Sequence, residues 1–242
     1  MKDERTSEGG RVLTTRGKVC TALLAATGEE MAAKATAAFA LGSDLVEFRV
    51  DLAKEPPSRL AAEIARFARK AIITVRRKEE GGGFKGSEAE RLEAISSLSR
   101  LKPAYLDIEL TTARENPDWF RHEVSRGPRK IVSWHDFSGT PPLRALQSVR
   151  NEASALGDIA KVVTLAKGKR DNLRVLRLYE DAPAPLIAFC MGEAGRASRL
   201  AALRLGSPVT YAALPNELVA PGQISLITTL RLKKAWEKGV LV

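Results

Sequence analysis

The stretch DLVEFRVDL, residues 44–52, alternates apolar and charged side chains with a period of two. In an extended strand, alternate side chains point to opposite faces. Glu47, Arg49 and Asp51 therefore share one face, and the apolar residues between them share the other. In a parallel barrel, helices cover the outer face of each strand, whereas the inner face can carry function near the carboxyl ends. The stretch predicts a barrel strand with its charges inside.

Around this stretch, short β-like runs alternate with amphipathic helical segments from residue 18 to the C-terminus, in eight cycles. The predicted strands are 18–24, 44–51, 71–76, 104–109, 130–135, 158–163, 185–191 and 208–212. The predicted helices begin near Glu29, Pro57, Ser87, Asn116, Pro142, Lys169, Ala194 and Gln223. Eight βα units in roughly 220 residues predict a (β/α)₈ TIM barrel, a fold that typically takes ~250 residues.

A doubly wound open sheet is the competing α/β architecture. Its dinucleotide-binding form carries a glycine-rich fingerprint after the first strand, but LLAATGEE, residues 23–30, stands there. No linker-like or low-complexity segment follows residue 17. We therefore predict a single catalytic barrel domain over residues 18–242. Residues 1–17 are predicted to be an extension that is loosely held or caps the bottom of the barrel.

The charge balance is basic, with 39 Lys and Arg against 29 Asp and Glu and a net charge of +10. Such a charge suits either a nucleic acid or an anionic small-molecule substrate. The basic residues are spread along the whole chain and aromatic residues are only 5% of it, so platforms for base stacking are poor. The composition favours a small anionic substrate.

Cysteine use and hydropathy predict the compartment. Cys20 and Cys190 both lie in apolar runs, which is typical of buried free thiols in a reducing cytoplasm, and they suggest no metal site. The N-terminus has no apolar signal-peptide core, and the chain has no uncharged apolar run long enough to span a membrane. We expect a soluble, cytoplasmic protein without a membrane partner.

The period-two pattern recurs on further predicted strands. AIITVR, residues 71–76, adds Arg76 to the inner face, and AYLDIEL, residues 104–110, adds Asp107 and Glu109. Taken singly, each of these charges could belong to a structural ion pair. Burying many of them costs several kcal/mol per ion, so a hydrated cavity that holds a substrate is the better explanation of the whole set.

A lysine and a histidine carry the strongest chemical signal. Lys161 lies inside the β-branched run DIAKVV, where burial is expected to favour its neutral, nucleophilic amine, although a lysine that extends to solvent from a strand end is the alternative. His135 ends the apolar part of KIVSWHDFSGTP, residues 130–141, one predicted strand away. Together they indicate a Schiff base and an imidazole that moves protons near neutral pH. The other histidine, His122, lies in a polar helical segment and is predicted to be solvated.

These pieces resemble type I 3-dehydroquinate dehydratase, the Schiff-base enzyme of the shikimate pathway. The resemblance runs from about Lys18 to Leu232 in the order of the family. The matching pieces are EFRVD, TVRRKEEGG, DIEL, SWHDFSGTP, DIAKVV, MGEAGRASR, LGSPVTYAAL and APGQIS. The resemblance implies a (β/α)₈ barrel, usually a homodimer, that needs neither a metal nor an organic cofactor.

The resemblance also implies roles for individual residues. Lys161 would attack the C3 ketone of 3-dehydroquinate, and His135 would take a proton from C2 and return one to the departing C1 hydroxyl. Hydrolysis of the imine would release 3-dehydroshikimate. Glu80 matches the carboxylate that orients the histidine. The remaining matches are Glu47, Arg49 and Arg76 for the ring hydroxyls, Arg199 and Gln223 for the substrate carboxylate, and Met191, which either packs in the core or contacts the iminium.

One departure and two alternatives accompany this interpretation. Val219 stands where the family commonly has a serine or threonine, a change that removes a hydroxyl contact of ~1 kcal/mol to the substrate carboxylate. A class I aldolase on the same fold would also use a buried lysine, but GSPVTYAALPNELVAPGQ, residues 206–223, offers only weak material for a phosphate site. A noncatalytic barrel that binds nucleic acid would show a steep salt dependence and no imine chemistry.

Overall fold

The structure is a computed structural model that describes residues 17–217 and 222–239. Most of the predicted N-terminal extension, residues 1–16, lies outside the described residues, and so does Val219. The predictions made for these positions therefore stay predictions.

The described residues form nine strands in one parallel sheet. These strands are β1 (Lys18–Leu23), β2 (Leu45–Arg49), β3 (Ala71–Thr74), β4 (Tyr105–Glu109), β5 (Arg129–Asp136), β6 (Ile159–Leu165), β7 (Leu186–Met191), β8 (Val209–Ala213) and β9 (Ile224–Ser225). All eight predicted strands are present, and no bound differs from its prediction by more than two residues. Only the two-residue strand β9 lacks a counterpart in the prediction, because so short a run carries no periodicity.

The helices alternate with the strands along the chain. They are α1 (Gly28–Ala40), α2 (Pro57–Ile64), α3 (Glu88–Ser99), α4 (Leu110–Glu115), α5 (Pro117–Arg126), α6 (Leu143–Leu156), α7 (Lys169–Leu176), α8 (Arg196–Arg204) and α9 (Leu226–Glu237). Several helices start at residues that favour a helix N-terminus. Thr27 caps α1, Ser87 and Glu90 form a capping box on α3, and Pro57 and Pro117 occupy first-turn positions of α2 and α5. The short helix α4 was not predicted.

Two apolar layers confirm the predicted alternation of faces. Val46 and Phe48 belong to a core between the sheet and the helices, whereas Leu45 belongs to a second core inside the sheet, on the same face as Glu47. Strand β2 ends at Arg49, and residues 50–52 form a turn of 3₁₀ helix, so Asp51 follows the strand instead of extending its inner face.

The order of the sheet is β7-β6-β5-β4-β3-β2-β1-β8-β9, so the seam of the curled sheet lies between β7 on one side and β8 with β9 on the other. Side chains meet across it, since the rings of Phe189 and Tyr211 are 6.3 Å apart. The arrangement is the single-domain, TIM-barrel-like fold that the sequence predicts. Since all pairs are parallel, the carboxyl ends of the strands share one rim, where barrel enzymes carry their active sites. Within the described ranges, no helix is long and apolar enough to cross a membrane.

Candidate active site

A cavity of about 190 Å³ opens at the carboxyl ends of the strands. It is smaller than the ~300–1,000 Å³ of pockets for drug-sized ligands, which suits a small metabolite. All nine predicted site residues line it. The lining consists of Ala22, Glu47, Arg49, Arg76, Glu80, Gly81, His135, Phe137, Lys161, Val163, Phe189, Met191, Arg199, Tyr211 and Gln223.

Lys161 is held inside the barrel by strand β6. It is only 4% exposed, which rules out the alternative of a lysine that extends to bulk solvent. Its Nζ donates to Asp107 Oδ2 at 2.7 Å and lies 4.4 Å from the centroid of the Tyr211 ring. No local sequence pattern predicts this carboxylate partner. The predicted neutral amine stays a prediction.

Asp107, on β4, is the centre of a buried ionic network. Its Oδ1 accepts from Arg76 Nη2 at 2.8 Å and from Ser133 Oγ at 2.6 Å, while Oδ2 holds Lys161. Burial by itself would raise the pKa of Asp107, but the charges of Arg76 and Lys161 outweigh it and hold this pKa well below its usual range. Asp107 is therefore a carboxylate at neutral pH.

His135 and Glu80 form the proton-handling pair. Glu80 Oε2 lies 3.1 Å from His135 Nδ1 and accepts the backbone N–H of His135 at 3.1 Å. Burial, followed by the charges of Arg76 and Lys161, lowers the pKa of His135 well below its usual value. The imidazole is therefore neutral near pH ~7. With the ring proton on Nδ1, where it can be donated to Glu80, Nε2 is free to accept a proton.

Burial also raises the pKa of Glu80, to about 7, although the positive charge of Arg76 opposes this rise. Glu80 ends a 3₁₀ turn, and Gly81 follows it with a left-handed φ of 76°. A Cβ on Gly81 would lie 2.4 Å from Phe137 Cζ, so only glycine lets the turn approach this ring. The Phe137 ring itself stacks on the His135 ring, with 6.4 Å between the two ring centroids.

Glu47 and Arg49 project from β2 into the cavity, and neighbouring side chains fix both. Thr74 Oγ1 donates to Glu47 Oε1 at 2.8 Å. Arg49 donates to Asp51 from Nε at 2.9 Å and from Nη2 at 2.7 Å, a bidentate pair. Asp51 in turn accepts the N–H of Gly83 at 3.1 Å. The cavity thus presents a fixed acceptor and a fixed donor that suit the hydroxyls of a polar substrate.

Arg199, Gln223 and Met191 complete the lining and are 5%, 6% and 7% exposed, respectively. Arg199 comes from helix α8, and its guanidinium lies 4.4 Å from the centroid of the Phe189 ring. Burial lowers the pKa of Arg199 to about 10, so the guanidinium is still charged at neutral pH. A buried guanidinium and an amide in the lining of one cavity suit an anionic group such as a carboxylate.

The sequence pattern indicates no role for Tyr211 or Phe137, and it predicts Asp107 only as an inward charge. Period-two alternation on β8 could have found Tyr211, since VTYAA puts it on the same face as Val209, which belongs to the inner core. Phe137 follows His135 by two residues, beyond the strand, where no periodicity extends. No local signal could have shown that Asp107 pairs with Lys161, because 54 residues separate them.

Outside the cavity, metal-binding clusters and a second groove are the remaining places for chemistry among the described residues. Among residues 17–217 and 222–239, no group of three or more His, Cys, Asp or Glu side chains could hold a metal ion. A groove of about 710 Å³ lies at the opposite, amino-terminal end of the strands, where Arg69, Arg100, Lys102 and Arg129 are exposed. None of the described residues that line it is a predicted site residue.

The fold and the cavity define a class of protein. A parallel barrel holds a buried lysine, a histidine paired with a carboxylate, and fixed cationic groups at the carboxyl ends of its strands. This combination is typical of enzymes that perform acid–base and nucleophilic chemistry on small anionic substrates.

Comparison with known proteins identifies the family. The sequence matches the type I 3-dehydroquinase family over residues 19–233. A 3-dehydroquinate dehydratase of Methanopyrus kandleri is 38% identical over 210 residues, which cover 85% of this chain and 94% of the relative. One of Thermococcus gammatolerans is 45% identical over 190 residues, 76% of this chain and 84% of the relative.

A solved structure agrees with the two sequence relatives. The crystal structure of 3-dehydroquinate dehydratase from Geobacillus kaustophilus superposes with a TM-score of 0.84 at 28% identity and covers 92% of this chain and 91% of that one. The chain therefore belongs to the type I 3-dehydroquinase family, and this membership makes it a hydro-lyase. Family membership favours a dehydratase over the two alternatives, an aldolase and a noncatalytic barrel that binds nucleic acid.

Proposed function

We propose that this chain dehydrates 3-dehydroquinate to 3-dehydroshikimate in the shikimate pathway, through an imine formed on Lys161. The observation that carries the proposal is the buried Lys161 amine, 2.7 Å from Asp107 in a cavity that His135 and Glu80 also line. Family membership supports the overall reaction. The family resemblance and the position of each residue in the cavity support the individual roles proposed below.

Substrate binding uses the charges of the cavity. Arg199 and Gln223 bind the substrate carboxylate, because a guanidinium fork and an amide donor match its oxygens. Glu47, Arg49 and Arg76 orient the ring hydroxyls. Met191 contributes an apolar wall beside the iminium. The net charge of +10 draws the anionic substrate toward the protein.

Imine formation starts when Lys161 gives its proton to solvent water, which later returns one to the imine nitrogen. Asp107 holds the ammonium, but Arg76 and Ser133 share the charge of this carboxylate, which weakens its hold on the lysine proton. The free amine attacks the C3 ketone, and the resulting carbinolamine expels one water to give the imine. Protonation of the imine nitrogen makes it an electron sink for the next step.

His135 then acts as the general base. Nε2 takes a proton from C2, the electron pair moves toward the iminium nitrogen, and an enamine forms. His135 next acts as the general acid: it protonates the departing C1 hydroxyl, which leaves as water while the enamine electrons re-form the iminium. A final water hydrolyses the imine, restores the Lys161 amine and releases 3-dehydroshikimate. Glu80 keeps the imidazole in the tautomer that this cycle requires.

The oligomeric state, the compartment and the partners of the chain are also part of what we propose. The chain works as a homodimer in the cytoplasm and needs neither a metal nor an organic cofactor. Its partner is the small anionic substrate, without a role for nucleic acid or membrane. The family resemblance and the distribution of charge support these statements.

Borohydride reduction in the presence of 3-dehydroquinate tests the proposal, with peptide mass spectrometry to locate the adduct. Lys130 provides an internal control. It is a second buried lysine, 1% exposed, and burial lowers its pKa, yet its Nζ donates to the carbonyls of Glu123 and Pro128 at the other end of the barrel. We expect the adduct on Lys161 and an unmodified Lys130.

Matched variants complete this test. Lys161→Met should abolish both the adduct and turnover, whereas Lys130→Met should retain both in the folded protein. Turnover without an adduct on Lys161 would overturn the imine mechanism. An absence of turnover with 3-dehydroquinate in the folded wild-type protein would overturn the proposed substrate.

A further inference from the structure

Arg91 is a buried arginine outside the cavity that contacts the ionic network from behind. It lies in the first turn of α3 and is only 2% exposed. Its Nη1 donates to the carbonyl of Val75 at 2.6 Å and to Glu109 Oε2 at 3.0 Å, and its Nη2 donates to Thr112 Oγ1 at 2.6 Å. On the outer side, Nε and Nη2 each donate to Glu88 at 2.8 Å. Arg91 thus joins a helix on the outer face of the barrel to the ends of β3 and β4.

Glu109 connects this outer arginine to the inside of the barrel. Its Oε2 faces Arg91 and accepts a second bond from Thr112 Oγ1 at 3.2 Å. Its Oε1 accepts from Arg76 Nη1 at 3.1 Å and from the backbone N–H of Arg77 at 3.1 Å. The side chain is fully buried, so solvent cannot replace any of these donors. One carboxylate therefore divides its charge between an outer and an inner arginine.

From Arg76 the network continues to the reactive amine. Arg76 bonds Asp107 at 2.8 Å, and Asp107 bonds Lys161 at 2.7 Å. The series Arg91, Glu109, Arg76, Asp107 and Lys161 alternates in charge, and none of its members is more than 4% exposed. Because these charges are little screened by water, a change at one end alters the balance at the other.

We propose that Arg91 is a positioning residue that, through Glu109 and Arg76, sets how strongly Asp107 retains the proton on Lys161. The inference rests on the proposed function, since it concerns the amine that forms the imine. Without Arg91, Glu109 loses a charged donor and competes more strongly for Arg76. Asp107 then gives up part of its bond to Arg76 and holds the Lys161 ammonium more tightly. Imine formation consequently requires a higher pH.

Other titratable or charged groups also surround Lys161, one or more from most neighbouring strands. They are Cys20 on β1, Glu47 on β2, Arg76 after β3, Asp107 on β4, His135 on β5, Tyr211 on β8, and Glu80 from the turn before α3. A substitution at Arg91 leaves all of these residues unchanged. Glu109 is the charged group that joins Arg91 to this set, so it is the proposed route for a shift in the pH dependence of imine formation.

The test compares Arg91→Met, Arg91→Lys and a matched control, Arg150→Met. Arg150 is also 2% exposed on the outer face of the barrel, in α6, but its Nη1 bonds the Leu178 carbonyl and Asp181, away from the network. The rate of borohydride trapping with 3-dehydroquinate is measured against pH. Trapping isolates imine formation from the later proton transfers of His135.

For Arg91→Met we expect the midpoint of the trapping profile to move up by roughly 0.5 to 1 pH unit, with a corresponding ~3- to 10-fold lower rate below the midpoint. Arg91→Lys keeps the charge and should shift less. Arg150→Met should lower the melting temperature and leave the profile unchanged. If Arg91 had a purely structural role, both Arg91 variants would behave like Arg150→Met, with a lower melting temperature and an unchanged trapping profile.

Two outcomes would overturn the inference. One is a trapping profile of folded Arg91→Met that coincides with that of the wild type. If Arg91→Met does not fold, the decision passes to Arg91→Lys and to Thr112→Val, which removes the hydroxyl between Arg91 and Glu109. Coincident profiles for both would equally refute it. An absence of any adduct in the wild type would instead count against the proposed imine, which separates the two failures.

Discussion

His135 and Glu80 meet at a single carboxylate oxygen: Glu80 Oε2 lies 3.1 Å from both the backbone nitrogen and the Nδ1 of His135. The imidazole is therefore fixed at its backbone and at its ring by the same group. The raised pKa of Glu80, about 7, means that this group gains a proton just below neutral pH. Once protonated, Glu80 no longer favours the Nδ1–H tautomer, since it can donate a hydrogen bond to Nδ1 instead.

Glu80→Gln is expected to change the pH dependence of turnover. In the wild type, kcat should fall as the pH drops below about 7, because protonation of Glu80 removes the carboxylate that orients His135. The sign follows from the direction of the shift: the carboxylate is present above this pKa and lost below it. The variant cannot titrate at this position, so its pH profile should lack this acid limb. Its kcat should be lower than that of the wild type by at most roughly tenfold.

Steady-state kinetics from about pH 5 to pH 9 would measure both profiles. Glu79→Gln is the matched control, because Glu79 is the adjacent residue and its side chain is 70% exposed in an ion pair with Arg77. It should keep the wild-type limb. A limb near pH ~7 that persists in Glu80→Gln would assign the titration to another group.

His135→Ala should separate proton transfer from imine formation. Loss of the general acid and base is expected to lower turnover by roughly 10²-fold or more. Borohydride should still trap the substrate on this variant, because the substitution leaves the Lys161 amine in the cavity. Single-turnover kinetics together with mass spectrometry would check both expectations. Turnover close to that of the wild type would leave His135 with a structural role only.

Asp51→Asn should weaken substrate binding with little effect on the chemical step. Asp51 forms the bidentate pair with Arg49, and an asparagine replaces one of its two acceptors with a donor. We expect KM to rise roughly tenfold while kcat changes little. Asp158→Asn is the control, because Asp158 accepts the Lys130 N–H at the opposite end of the barrel. An equal rise of KM in both variants would contradict a specific role for the Arg49 clamp.

Arg199→Ala should reveal the carboxylate subsite. Removal of a buried charged donor is expected to raise KM by roughly 10- to 100-fold. Arg196→Ala changes an arginine on the same helix whose side chain is 55% exposed, and it should leave KM near the wild-type value. Initial-rate kinetics on 3-dehydroquinate would compare the two variants. Similar KM values for Arg199→Ala and the wild type would argue that another group binds the carboxylate.

Sequence alone determined the barrel and most of the cavity. Apolar and polar residues alternate along each strand, and this alternation depends only on the local chain geometry, so it assigned Glu47 and Lys161 to the inner face before any strand was paired. The order of matching motifs then fixed the family. Side chains beyond the strands, such as Glu80 and Arg199, were found only through the resemblance, because loops and helix turns carry no period-two signal.

Only the tertiary structure decided which of these groups touch. The pairing of His135 with Glu80 spans 55 residues, and that of Lys161 with Asp107 spans 54. Such contacts depend on the register between strands and on how the turn at Gly81 is rotated, which are properties of the assembled sheet. Arg91 is the extreme case: it lies on a helix outside the barrel, and only the packing of α3 brings it to Glu109. Local sequence determines the face to which a side chain points, whereas the assembled sheet determines its partner.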